Sequence, residues 1–188
     1  MKQNEKNIAK HYLIFSLGLL LNSFGVAFVT KGSLGTSPIA SIPYSLSLII
    51  TQLSLGNWTI IFSILLIVIQ IILLKKETNK LEIFLQVIIS FIFGYFIDFS
   101  MLLLKNYAPT LYLAKLFSLV LGCCIIAFGA YFEVIADVVM LPGDAFVRAI
   151  AKVTSKEYGN IRVISDISMT VIAGILCFIF LHRLQGGP

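Results

Sequence analysis

Charge is what this sequence has least of. Only 12% of its 188 residues are Asp, Glu, Lys or Arg, against 59% hydrophobic and a mean hydropathy of +0.98. A soluble domain of this size needs a charged surface, and this chain cannot supply one. Histidine is scarcer still. His11 and His182 fall at expected helix ends, where an interfacial role fits better than metal ligation. The three cysteines, Cys123, Cys124 and Cys177, lie inside apolar runs and read as small buried hydrophobes, not as a disulfide framework or a metal site. No nucleophile has an adjacent base, and neither a metal-ligand cluster nor a phosphate-cradling glycine loop occurs. The sequence therefore gives no support to an enzyme, a cofactor or self-powered ATP-driven transport. The net charge of +5 reads as membrane topology, with no nucleic-acid partner.

What is abundant is uninterrupted apolar sequence. Residues 12–30, 58–74, 83–97, 116–132 and 167–181 each lack any charged side chain. A helix needs about 20 predominantly apolar residues to cross a bilayer core of about 30 Å. Each run reaches that length once its uncharged or snorkelling flanks are counted. Residues 1–10 are basic, but the run after them is long and has no small-residue cleavage site, so it reads as a retained first helix. The expected fold is all-α: a polytopic membrane protein forming a single transmembrane domain over residues 1–188, with the lipid bilayer as its first partner.

Two breaks interrupt this pattern, Leu141-Pro142-Gly143-Asp144 and the weaker Ser37-Pro38-Ile39-Ala40. Proline lacks an N–H and stops a helix from running through, yet suits the first turn of a new one. The breaks are landmarks of an internal repeat. At a constant offset of 104, Gly18 aligns with Gly122, Gly25 with Gly129, Phe28 with Phe132 and Pro38 with Pro142. After one gap, Gly56-Asn57 aligns with Gly159-Asn160. The reading is repeat one over 11–75, a connecting helix over 81–104 and repeat two over 112–183. Each repeat is a long helix, a Pro-broken short helix and a second long helix. Asn57 and Asn160 are the expected N-caps of the second long helices, with Gly56 and Gly159 ending the short ones. The short helices are expected over 38–53 and 143–156, the latter with Asp144, Arg148 and Lys152 on one face. Repeat two has no counterpart of the 81–104 helix, and the ending Gln185-Gly186-Gly187-Pro188 reads as a truncation or an added remnant.

Charge placement decides between topologies. If both short helices re-enter or lie at the interface, five helices span. With the N-terminus inside, Lys2, Lys6, Lys10, Lys75, Lys76, Lys80, Arg148, Lys152, Lys156 and Arg162 then fall on the inner side. Only Lys31, Lys105, Lys115 and Arg183 fall outside. If both short helices span, Lys75, Lys76 and Lys80 move outside and the bias weakens. The positive-inside rule favours five spans, an N-terminus in the cytoplasm and inverted repeats.

The break motifs also carry a family resemblance. Gly32-Ser33-Leu34-Gly35-Thr36-Ser37-Pro38, followed by Tyr44-Ser45-Leu46-Ser47 and Gly56, is similar to the first-half signature of the YczE/YyaS/YitT-type family of small bacterial integral membrane proteins. Leu141-Pro142-Gly143-Asp144, with Gly159 and Arg162, resembles the second-half signature. The likeness covers about residues 12–183. Members often place a carboxylate just after the first proline, where this chain reads Ile39-Ala40-Ser41, so only the second break keeps its acid. The resemblance implies a protein of the bacterial cytoplasmic (inner) membrane with a transport-like or accessory role.

Ionisable groups inside a membrane usually face a cavity or a partner. Asp98, Glu133, Asp137, Asp144, Arg148, Arg162 and Asp166 are the candidates. Asp144 and Arg148, four apart, either form an ion pair along one helix, or Asp144 caps the short helix while Arg148 or Lys152 faces a solute. Asp166 is expected to bridge to Arg162, and Asp98 to be interfacial. Glu133 and Asp137 repel, bind a cation or titrate as a coupling pair. Asn22, Ser37, Tyr44, Gln52 and Gln70 are expected to hydrogen-bond between helices. Helix N-termini at two breaks meeting near the midplane make a site for an anionic or zwitterionic group. The expected solute-binding residues are Ser37, Pro38, Tyr44, Pro142, Asp144 and Arg148. Proton or ion coupling is expected of Glu133, Asp137 and Asp166, with no metal. The functional expectation is a transporter of a small polar solute. Its alternative is a non-transporting accessory or regulatory subunit of another complex or biosynthetic enzyme. A homodimer is a further expectation.

Overall fold

Apolar runs bounded by proline, glycine and hydroxyl residues become seven helices. A computed structural model describes residues 2–75 and 79–181, with side chains from residue 9 onward. The helices are α1 (Lys2–Lys31), α2 (Pro38–Ile49), α3 (Leu55–Leu74), α4 (Lys80–Leu103), α5 (Tyr112–Ala136), α6 (Pro142–Thr154) and α7 (Tyr158–Leu181). No strand occurs among the described residues. Lys76, His182, Arg183 and the Gln185-Gly186-Gly187-Pro188 ending lie outside the described residues.

Five helices are long and apolar enough to cross a membrane: α1 from Ala9, α3, α4, α5 and α7. α2 has 12 residues and α6 has 13. At about 1.5 Å per residue each is roughly 18–20 Å long, well short of a bilayer core. The outside of the bundle is its most apolar part. Leu113, Val134 and Phe178 are more than 60% exposed, whereas Ser23, Ser41, Ser45, Gln86 and Ser118 are fully buried. That inversion suits a protein whose surrounding solvent is hydrocarbon.

Both breaks follow one plan. Before α2, Ser33 and Gly35 take positive φ, Thr30 Oγ1 lies 3.2 Å from Thr36 Oγ1, and Pro38 opens the helix. Before α6, Asp137 ends α5 in the left-handed conformation, and Pro142 opens the helix four residues after Val138. α1 and α5 run antiparallel, joined along a seam of four glycines, with the far side of α5 facing outward. A Cβ built on Gly18 would lie 2.9 Å from the Gly129 carbonyl oxygen, and one on Gly25 would lie 3.0 Å from that of Gly122. The remaining contacts are reciprocal: α2 packs on α7, and α3 on α6. α4 covers α1 and α3.

Several local expectations need correction. α3 begins before Asn57, and its N-cap is Ser54, whose hydroxyl accepts from Asn57 N–H at 3.1 Å. Asn160 likewise lies inside the first turn of α7. Gly56 does not end α2, which stops at Ile49; it lies within α3, where its missing side chain lets Gly94 and Asp98 of α4 approach. Gly159 does not end α6 either; Ser155, in the left-handed conformation, does. Asp98 is more than interfacial. It accepts from Ser54 Oγ at 2.6 Å and from Gly56 N–H at 2.8 Å, supplying from α4 the charge that the start of α3 lacks. Cys177 is buried, but Cys123 and Cys124 lie on the outward face of α5.

Candidate functional site

The two breaks meet. An added Cβ on Gly143, the second residue of α6, would collide with Ile39, the second residue of α2. Beside this contact is a cavity of about 180 Å³ to which all seven helices contribute. α1 gives Asn22 and Val26, α2 gives Ile39 and, from the N-cap position just before the helix, Ser37, and α3 gives Thr59, Phe62 and Ser63. α4 gives Ser90 and Phe93, α5 gives Glu133, α6 gives Pro142 and Asp144, and α7 gives Arg162. Proline at the first position of both short helices sets their direction. The absence of a side chain at Gly143 permits the approach.

The charges are unequally satisfied. Arg162 binds two carboxylates, Asp166 one turn along α7 at 3.2 Å from its Nε, and Asp144 through Nη1. The expected Asp166–Arg162 bridge is present, and each of these three side chains is about a third exposed. Asp144 does not pair with Arg148 along α6. Arg148 reaches Glu82 of α4 instead, at 2.9 Å. Glu133 is only 9% exposed, and Asn22 Nδ2 donates to its Oε1 at 3.1 Å. No cation pairs with Glu133 among the described residues.

A larger cavity, of about 510 Å³, adjoins the first at one end of the bundle. It is bordered by Glu82, Asp137, Met140 and Arg148, and it shares Ala130, Glu133, Leu141 and Asp144 with the central cavity. These shared residues form the threshold between the two. Another cavity of about 510 Å³ opens near the opposite helix ends, bordered by Lys31, Tyr44, Ser54, Lys105 and Tyr107, and it has no residue in common with the central one. The solute-binding set expected from sequence is thereby divided. Ser37, Pro142 and Asp144 meet at the centre, and Pro38 opens α2 beside them. Arg148 lies in the adjoining vestibule and Tyr44 in the opposite one, so Tyr44 does not join the paired breaks. Asp137 lines the vestibule together with Glu133 but, unlike Glu133, does not reach the central cavity.

Sequence reasoning passed over Glu82, Gln86 and Ser90. Gln86 is fully buried, and neither atom of its amide has a partner. Polar residues every fourth position in an apolar helix, as at 82, 86 and 90, were the available signal. Among the described residues, no three His, Cys, Asp or Glu side chains gather to hold a metal ion.

These features define a helical protein of the multi-pass membrane class, apolar outside and polar within. The chain belongs to the DUF6198 family, a family of unknown function whose model matches residues 9–187. It is similar to the uncharacterized protein YyaS of Bacillus subtilis (strain 168), with 34% identity over 107 residues, 57% of this chain and 49% of that protein. The chain thus spans about half the length of that curated relative. The YyaS-type resemblance of the break motifs agrees with both findings. No solved structure matches the chain.

Proposed function

We propose that this protein moves a small polar solute across a bacterial cytoplasmic membrane, through the cavity between the two breaks. The observation that carries this reading is the junction itself. Two short helices start against one another beside a cavity that holds Glu133, Asp144 and Arg162, adjoins a vestibule toward one end of the bundle and shares no lining residue with the one toward the other end. Paired helix breaks of this kind serve transporters because free N–H groups and side chains can bind a polar solute without exposing backbone to lipid.

Inverted repeats are part of the proposal. Under the offset of 104, the Gly18–Gly129 approach maps onto the Gly122–Gly25 approach, and the α2–α7 contact maps onto the α6–α3 contact. Antiparallel helices exchanged in this way are related by an axis across the bundle, which lies in the membrane plane when the helices cross it. With the positive-inside assignment, the vestibule of Glu82 and Arg148 opens to the cytoplasm. Glu133 sits at its threshold, where it can couple solute to protons or cations.

The test is uptake by purified protein in proteoliposomes against a panel of small polar metabolites, with Asp144→Asn as control. Flux in the wild type that falls at least 10-fold in the variant supports the reading. A folded protein that neither binds nor moves any solute, yet co-purifies with another membrane protein, would overturn it in favour of an accessory subunit.

A further inference from the structure

Resting on the transport reading, we infer that the solute is a zwitterion, a small amino acid with an apolar side chain. Its ammonium group lies on Glu133 and its carboxylate at the start of α2.

The cation half follows from the carboxylates. Glu133, Asp144 and Asp166 stand against a single guanidinium, and Arg162 is engaged by the latter two. Glu133 remains, more than nine-tenths buried and lining the cavity, with one amide donor and no cation. A purely anionic solute would bring a further negative charge beside it, in surroundings where like charges repel strongly. An ammonium group supplies what Glu133 lacks, and its remaining protons have acceptors nearby in Ser63 and Ser90.

The anion half follows from the difference between the breaks. α6 has Asp144 in its first turn, so the positive end of its dipole is already answered. α2 has no acidic residue there and no side-chain cap; the position matching Asp144 is Ala40. Pro38 has no N–H, and Ala40 N–H bonds the Ser37 carbonyl at 3.0 Å. Ile39 N–H, at the second helical position, has no intrahelical acceptor. With the Ser37 hydroxyl it offers two donors at the cavity wall, suited to one carboxylate.

Size and lining set the remainder. A dry cavity of about 150 Å³ holds a benzene-sized molecule, so about 180 Å³ suits a solute only slightly larger, in the range of a small amino acid. Phe62, Leu66, Phe93 and Ile97 give it an apolar wall.

The experiment compares L-leucine with its two half-molecules, isopentylamine and 4-methylpentanoate, by calorimetry and thermal shift on the detergent-purified full chain. Leucine is expected to bind wild type at least 10-fold more tightly than isopentylamine, and 4-methylpentanoate not to bind. Glu133→Gln, which keeps the side-chain volume, should weaken leucine at least 10-fold. Ser37→Asp answers the bare end of α2 and should weaken leucine while sparing isopentylamine, a discrimination that survives if Glu133→Gln fails to fold. Isopentylamine binding as tightly as leucine, or leucine unaffected by both substitutions, would overturn the inference. So would flux in proteoliposomes of a solute that is not zwitterionic, with leucine inert; that result leaves the transport reading standing. A wild type that moves nothing sinks the transport reading itself.

Discussion

Arg162 holds two acids at the threshold of the cavity, and its removal would leave both uncompensated. Arg162→Leu is expected to lower stability by roughly 1–3 kcal/mol, the cost of stranding charged hydrogen-bond acceptors. The figure stays below that of a fully buried pair because each member is about a third exposed. Thermal unfolding in detergent measures it. Arg162→Lys should recover only part, since an ammonium cannot fork toward two carboxylates as a guanidinium does. The sequence made Arg162–Asp166 readable, because both lie one turn apart on one helix. Asp144 and Arg148 have the same spacing, yet each found a partner on another helix. Local spacing states which pairs can form; which pair forms depends on whether a competitor such as Glu82, 66 residues away, arrives closer. Asp98 shows the same dependence, since its partners at the start of α3 are brought to it only by folding.

Among elements, the glycine seam between α1 and α5 leaves no room for a side chain. A Cβ on Gly25 would stand 2.6 Å from the Ile126 side chain and 2.9 Å from the Ile126 nitrogen. Gly25→Leu is therefore expected to force the helices apart and destabilise by about 1–3 kcal/mol or more. Gly174, also within a helix, has nothing within 4 Å of an added Cβ. Gly174→Ala should be neutral or stabilising by up to about 1 kcal/mol, from helix propensity alone. Unfolding of the two variants side by side checks both signs, and equal losses would refute the seam. The spans and both breaks were legible beforehand, because run length and the missing N–H of Pro38 and Pro142 act locally. The starts of α3 and α7 were not. Gly56-Asn57 has the look of a helix boundary, but Ser54 takes the capping position and Gly56 serves the α3–α4 contact.

For the molecule as a whole, the five-span scheme puts the two large vestibules on opposite sides of the membrane. In a background without Cys123, Cys124 and Cys177, Met140→Cys lies in the vestibule of Glu82 and Ser47→Cys in that of Tyr44. In intact cells, a membrane-impermeant maleimide is expected to label Ser47→Cys and spare Met140→Cys. In inverted vesicles the pattern should exchange. Labelling of both from one side would refute the scheme. The turns before α2 and α6 were legible in the sequence, because Pro38 and Pro142 each stop one helix and open the next; that the two turns lie against one another depends on packing between distant helices. The site's division into a centre and two vestibules was not foretold, since Tyr44 lies only six residues after Pro38 yet opens to the other end.

The glycine seam has one more consequence. Gly18–Gly129 and Gly25–Gly122 lie seven residues apart on each helix, about 10 Å along the axis, so they mark a short line of near backbone contact. From Gly25 to Pro38, and from Gly129 to Pro142, the chain runs the same thirteen residues. On the transport reading, the seam is placed as a pivot equally distant along the chain from the two breaks. Rocking of one half on the other would leave the pivot, and the Ile39–Gly143 junction beside it, nearly still and move the outer helix ends most. Asn22 and Glu133, hydrogen-bonded beside Gly129 and Gly18, sit almost on the pivot. A solute held there would stay in place while the walls above and below it trade positions.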